Sequence, residues 1–166
     1  MVQQRYLGRW LAVVLFACAL SACAAGGGLV DHTFAFDALM DSPGITVLDF
    51  RYGDGKGPGM SNQEQLRAVG KSVQRTGTSG FMPRGDSLYV KWRINVTNEV
   101  LEDTVDLRQR LPRDLEDQTV YFMIKERQLI VFLISPERRP PNMQPNGPDG
   151  YRHLKVITIY PDQRAR

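Results

Sequence analysis

Residues 87–96 read SLYVKWRINV, and this stretch decides the fold. Leu88, Val90, Trp92, Ile94 and Val96 recur at every second position, with Tyr89, Lys91, Arg93 and Asn95 between them. A period of two places one set on each face of an extended chain, because successive Cβ atoms point to opposite sides. One face is apolar and the other wet, the pattern of an antiparallel sheet packed on one side. Trp92 is therefore expected in the core. Tyr89, on the other face, is a candidate interface anchor. Thr97-Asn98-Glu99 supplies a turn, since Asn tolerates positive φ. Val100–Leu107 then returns as a second strand, with its acids Glu102 and Asp106 expected across from Lys91 or Arg93.

Further strands flank this pair: ITVLDFRY at 45–52, TVYFMIK at 119–125, LIVFLIS at 129–135 and LKVITIY at 154–160. The runs at 119–125 and 129–135 are apolar on both faces, so they are expected as a central hairpin around Glu126-Arg127-Gln128. These segments predict an all-β fold, a β-sandwich or open barrel of about six to eight mostly antiparallel strands. Helix is scarce. Ser61-Asn62-Gln63-Glu64 fits a capping box and predicts one short helix at 62–69. Residues 34–40 read as strand or helical turn. The segment 110–118 reads as a connection whose Leu111 and Leu115 plug a sheet edge.

The 166 residues suit one domain. Arg5 and Arg9 are the only charged side chains in the first 22 residues; beyond them 19 Lys and Arg stand against 18 Asp and Glu. A near-neutral body has no broad electrostatic footprint for nucleic acid, so no nucleic-acid partner is expected. Trp10–Leu20, WLAVVLFACAL, follows that basic head with no charge. The pair has the form of a secretory signal. At 11 residues the apolar run is too short to cross a bilayer as a helix. A buried core helix is the alternative reading.

Leu20-Ser21-Ala22-Cys23 resembles the lipobox of bacterial lipoproteins. The resemblance implies cleavage after Ala22, diacylglycerol on the Cys23 sulfur and acylation of the new amino terminus. No cofactor is expected beyond this covalent lipid. Ala24, where aspartate marks inner-membrane retention in such proteins, implies anchoring at the outer membrane of a Gram-negative bacterium, with the domain in the periplasm. Residues 1–22 are then the signal peptide, 23–30 a lipidated flexible tether rich in Ala and Gly, and 31–166 a single β-rich domain. Cys18 would leave with the signal and Cys23 would be blocked, so cysteine catalysis and Cys-ligated metals drop out.

Three loops draw attention. Residues 53–59, GDGKGPG, carry Asp54 and Lys56, but lack the Ser or Thr after Lys56 that a P-loop needs, and fail the G-x-G-x-x-G spacing. Arg84-Gly85-Asp86-Ser87 spells a cell-adhesion tetrapeptide and equally suits a turn entering the strand at Leu88. Residues 136–150, PERRPPNMQPNGPDG, form a long, stiff, proline-rich segment with Arg138, Arg139 and Asn142. The expected binding residues are thus Asp54, Lys56, Arg84, Asp86, Tyr89, Arg138, Arg139 and Asn142, most of them in loops 53–60, 77–86 and 136–152. Asp49, Asp54 and Asp86 read either as a carboxylate cluster with Arg51 or Arg84, or as ordinary turn residues.

No catalytic or metal-binding residue is expected. His32 and His153 lack metal-ligand spacing, and no G-x-S-x-G elbow is present. Segments 82–93, MPRGDSLYVKWR, and 102–112, EDTVDLRQRLP, are similar to small uncharacterised lipoproteins of Gram-negative bacteria. Some lipoproteins of that size act as immunity proteins against secreted toxins. The expectation is a membrane-anchored, non-catalytic module that binds another protein. The alternatives are a structural accessory lipoprotein of an envelope or secretion assembly, and a cell-wall or lipid hydrolase with a histidine beside a carboxylate.

Overall fold

The computed structural model describes residues 28–162. The stretches read as signal segment and lipobox, with Cys23, lie outside the described residues. The elements are β1 (Leu29–Asp37), the helical turn α1 (Ala38–Asp41), β2 (Ile45–Tyr52), the short helix α2 (Glu64–Arg67), β3 (Arg75–Pro83), β4 (Ser87–Ile94), β5 (Val100–Asp106), β6 (Thr119–Lys125), β7 (Gln128–Arg138) and β8 (Leu154–Tyr160), with a 3-10 turn at Asp149–Tyr151. They form two sheets, a five-stranded one ordered β3-β1-β6-β7-β8 and a three-stranded one ordered β2-β4-β5. Pairing is antiparallel except between β1 and β6, which run parallel. The architecture is a β-sandwich, not a closed barrel.

Alternation explains the core. β4 turns Leu88, Val90 and Trp92 inward, where Val47, Phe50 and Tyr52 of β2 join them. From the facing sheet come Phe34 and Phe36 of β1, Phe122 and Ile124 of β6, and Leu129 and Val131 of β7. The Phe34 ring stacks on Tyr52 at 4.6 Å, and Phe36 on Phe122 at 4.4 Å. Burying each such side chain stabilises the fold by roughly 1.5–3 kcal/mol before chain entropy is charged against it. Leu107, Leu111 and Leu115, from the crossover between β5 and β6, also enter this core.

β6 and β7 occupy the centre of their sheet, as their two-sided apolarity predicts. Their second faces need a second cover. Ala35, Tyr121, Phe132, Ile134 and Val156 form a separate cluster on the outer side of the five-stranded sheet. The proline-rich segment roofs it. Tyr151 packs edge-on against Tyr121 at 5.4 Å, and Asn146 donates to the Thr158 hydroxyl at 2.9 Å. Gly147 has φ of +81°, and a Cβ there would stand 2.7 Å from a Val156 methyl, so only glycine lets the segment lie this close.

Several expectations need correction. The stretch 136–152 is not a free loop: β7 runs on to Arg138, which pairs with Leu154, and the rest folds back onto the sheet. Residues 77–83 are not loop but the greater part of β3, a polar Thr/Gly/Ser edge strand held by β1. The helix is shorter than 62–69, and the capping box does not form. Gln63 occupies the cap without a side-chain bond, Ser61 donates to the Gly55 carbonyl at 2.9 Å, and Asn62 is buried. Val96 does not extend the apolar face of β4; the strand ends at Ile94 and Val96 is 90% exposed in the turn. β1 begins at Leu29, inside the stretch read as tether, and the ambiguous residues 34–40 are strand through Asp37 and helical turn thereafter.

Other expectations hold. Asn98 carries φ of +56° in the β4–β5 turn. Lys91 lies opposite Glu102, its ammonium 3.7 Å from the carboxylate. The same expectation for Asp106 fails: the register sets it opposite Ser87, away from Lys91 and Arg93, and it pairs with Arg108.

Candidate functional site

The end of the sandwich where β1 begins brings the glycine-rich loop against the 84–86 turn. The Gly53 amide donates to the Ser87 carbonyl at 2.8 Å. A Cβ on Gly85 would stand 2.5 Å from the Tyr52 ring, so the turn sits directly on a core aromatic. Between the two loops lies a cleft of about 640 Å³ lined by Asp54, Arg84, Asp86, Arg113, Val30 and Met60, among others. The structure thus brings together Asp54, Arg84 and Asp86.

Arg84 and Asp54 have local work. Arg84 donates to the carbonyls of Leu111 and Pro112, at 3.3 and 3.1 Å, tying the crossover to the turn. Asp54 accepts from the Lys56 amide at 3.1 Å and pairs with its ammonium at 3.3 Å; the amide bond is the main reason its carboxyl sits below the usual range. Asp49 pairs with Arg67 at 3.2 Å. Asp49 and Asp54 therefore have separate local roles. Lys56 lines a neighbouring groove of about 450 Å³ beside Phe81.

Tyr89 is elsewhere, on the outer face of the three-stranded sheet. Register places Arg51, Tyr89 and Thr104 in one cross-strand row and Asp49, Lys91 and Glu102 in the next. The Tyr89 hydroxyl donates to Glu102 at 3.0 Å, and the Arg51 guanidinium stands 5.9 Å from the ring centre. Desolvation first, and the Glu102 carboxylate second, push the Tyr89 phenol up to about 12. It therefore remains a hydrogen-bond donor at neutral pH.

Arg138, Arg139 and Asn142 join neither group. Arg138 is exposed at the end of β7, and Asn142 is exposed in the roof segment. The Arg139 guanidinium donates to the carbonyls of Met143 and Arg152, so its role is to fold that segment.

Of the two histidines, His153 is exposed. His32 is buried; its Nδ1–H donates to the Val30 carbonyl at 2.8 Å, and its Nε2 accepts from the Tyr52 hydroxyl at 3.1 Å. That arrangement is the neutral tautomer, and desolvation accordingly lowers its pKa. Burial likewise pushes the Tyr52 phenol up to about 12, keeping it a donor. Among the described residues, no group of three His, Cys, Asp or Glu side chains is placed to hold a metal ion.

Sequence reading missed three polar braces. The Gln74 side chain accepts from the Val47 amide and donates to the Val47 carbonyl, both at 2.9 Å, standing in for a neighbouring strand beside the β2 bulge. Asn62 donates to the Lys71 carbonyl at 2.7 Å and takes part in closing the same edge. On the opposite layer, the Tyr121 hydroxyl donates to Asp41 at 2.6 Å, and Asp41 accepts from the Asp149 amide at 3.3 Å. A tyrosine inside an apolar strand announces that its hydroxyl needs a partner, but nothing in the sequence says which.

No family model, no curated protein and no solved structure matches the chain. What fold and geometry define is a two-sheet β-sandwich whose three-stranded layer leaves an open, charged, tyrosine-bearing face.

Proposed function

We propose that the chain is a lipoprotein anchored at the outer membrane through Cys23, whose β-sandwich is a non-catalytic protein-binding module in the periplasm. The anchoring half rests on Leu20-Ser21-Ala22-Cys23 and the short basic-apolar head before it. Several acyl chains at about 0.8 kcal/mol per buried CH₂ make release negligible, where one chain would be marginal.

One observation carries the binding half: the open outer face of the three-stranded sheet, where Tyr89 stands among Arg51, Lys91, Asp49 and Glu102. Tyr and Arg are enriched among the side chains that dominate protein interfaces. Both charge signs alternate across this face, which suits the complementary surface of a folded protein better than a polyanion.

Capture from solubilised envelopes with the tagged lipidated protein and its Tyr89→Ala variant tests the reading. A defined partner held by the wild type and lost from the variant is expected. A soluble secreted protein as that partner marks an immunity-type role, and a set of envelope proteins marks an assembly subunit. Identical captures by both forms overturn the assignment of this face.

A further inference from the structure

We infer that the domain rests on the lipid surface through an apolar patch made by Leu29, Phe81 and Pro83 on the outer side of the five-stranded sheet. The inference rests on the lipid anchoring proposed above and deepens it by saying how the domain sits. Leu29 is 62% exposed and Phe81 74% exposed, two of the larger apolar surfaces left uncovered. Register places Leu29 opposite Pro83 and Asp31 opposite Phe81. Leu29, Phe81 and Pro83 therefore share one face, with Phe81 the diagonal neighbour of Leu29 and within its reach. Their alternates, Val30 and Met82, point into the core instead. The roof that covers the outer side of β6, β7 and β8 is built on Tyr121, Phe132, Ile134 and Val156, at the other flank of this sheet.

The occupant follows from the chain itself. Leu29 lies six residues beyond Cys23. At roughly 3.3–3.6 Å per residue, that segment reaches at most about 21 Å even when fully extended. The patch is thus held within a short radius of the acyl chains, at the mouth where the strand leaves for its anchor. Tethering makes a weak second contact intramolecular, so a small apolar patch suffices. Asp31 shares the face and is half-buried. Its carboxylate sets the depth at the headgroup boundary, where amphipathic surfaces lie, and keeps the patch out of the hydrocarbon. The two outer faces of a sandwich point in opposite directions, so this seating leaves the Tyr89 face turned away from the membrane.

The test uses the processed, lipidated protein in phosphatidylethanolamine–phosphatidylglycerol vesicles. Single cysteines are placed by Phe81→Cys, Leu29→Cys and Val96→Cys and labelled with an environment-sensitive dye. Val96 is also apolar and 90% exposed, in the turn after β4 at the opposite end of the strands. Labels at 81 and 29 should be several-fold less accessible to aqueous iodide than the label at 96, whatever the protein-to-lipid ratio. Equal accessibility at all three positions overturns the inference while leaving the anchor intact. Protection that fades as protein is diluted in lipid assigns the patch to a second copy of the chain and overturns it too. A Cys23 that mass spectrometry finds unmodified overturns the anchoring reading itself, and this inference with it.

Discussion

The two sheets of this sandwich start from one pattern and finish in different roles. In the three-stranded sheet, alternation separates a dry face from a wet one: Leu88, Val90 and Trp92 are buried, while Arg51, Glu102 and Thr104 stand in solvent. In the five-stranded sheet, the central strands are apolar on both sides, and Tyr121, Phe132 and Ile134 face away from the main core yet are buried. The cover comes from residues 139–152, which bring almost no apolar side chain of their own besides Met143 and Tyr151. Proline, glycine and a few placed polar groups hold a strip of backbone against the sheet. A strand thus declares how many faces must be dry, and the covering segment shows its role only once folded.

The sharpest way to break this comparison is to excavate both faces of the five-stranded sheet. Phe122→Ala empties the inter-sheet core and Phe132→Ala the outer cluster. Each should cost about 3–5 kcal/mol in urea unfolding, the usual loss for a buried phenylalanine. Should Phe132→Ala cost under about 1 kcal/mol, the roof is a loosely attached loop and the outer cluster is not a second core. Next in size is Gln74→Ala. It strips the Val47 amide and carbonyl of their partners at the edge of the three-stranded sheet. Leaving such groups unpaired costs about 1–3 kcal/mol. Slower amide exchange at Val47 in the variant than in the wild type would show that the Gln74 bonds are not what protects this edge.

What sequence could and could not disclose divides along the same line. β4, β6 and β7 were legible because burial had written itself as period two or as unbroken apolarity. β3 was not, because RTGTSGFMP is an edge strand whose one partner is β1 and whose side chains are mostly small and polar. β1 was half-legible: Phe34, Ala35 and Phe36 are all buried, so its alternation is blurred. Ser61–Glu64 spells a capping box, but the Asn62 side chain is drawn inward to the Lys71 carbonyl, and tertiary contact outweighs the local signal. Of the candidate site, Asp54, Arg84 and Asp86 converge because a glycine loop and a turn meet at one end of the sandwich. That meeting depends on strand order, which no residue pattern specified.

A smaller effect concerns His32, which links β1 to Tyr52 across the two sheets. Burial lowers its folded pKa below the ordinary 6.5. As pH falls through that ordinary value, the unfolded chain takes up a proton that the folded one refuses, so stability drops with falling pH and is regained as pH rises. The slope cannot exceed about 1.4 kcal/mol per pH unit for one proton. Asp54, Asp106 and Asp162 have lowered pKa values, so their contributions fade only in the carboxylate range, below this window. Urea titrations between pH 7 and pH 5 should show the slope in the wild type and not in His32→Gln. An equal slope in both would place the titration elsewhere.

The smallest predicted change in stability is also the one that separates the two layers by function. Tyr89→Ala should move unfolding by no more than about 0.5 kcal/mol, because the ring lies on the wet face and its bond to Glu102 is exposed. Tyr89→Phe should be closer still to the wild type, since the ring and its contact with Arg51 remain. If this face meets a partner, the pair distinguishes two ways of doing so. Loss of binding in Tyr89→Ala with retention in Tyr89→Phe means that the ring fills a pocket on the partner; loss in both means that the hydroxyl is passed from Glu102 to an acceptor there. A destabilisation of several kcal/mol in Tyr89→Ala would instead mean that the face is packed, and that the three-stranded sheet, like its neighbour, has a cover of its own.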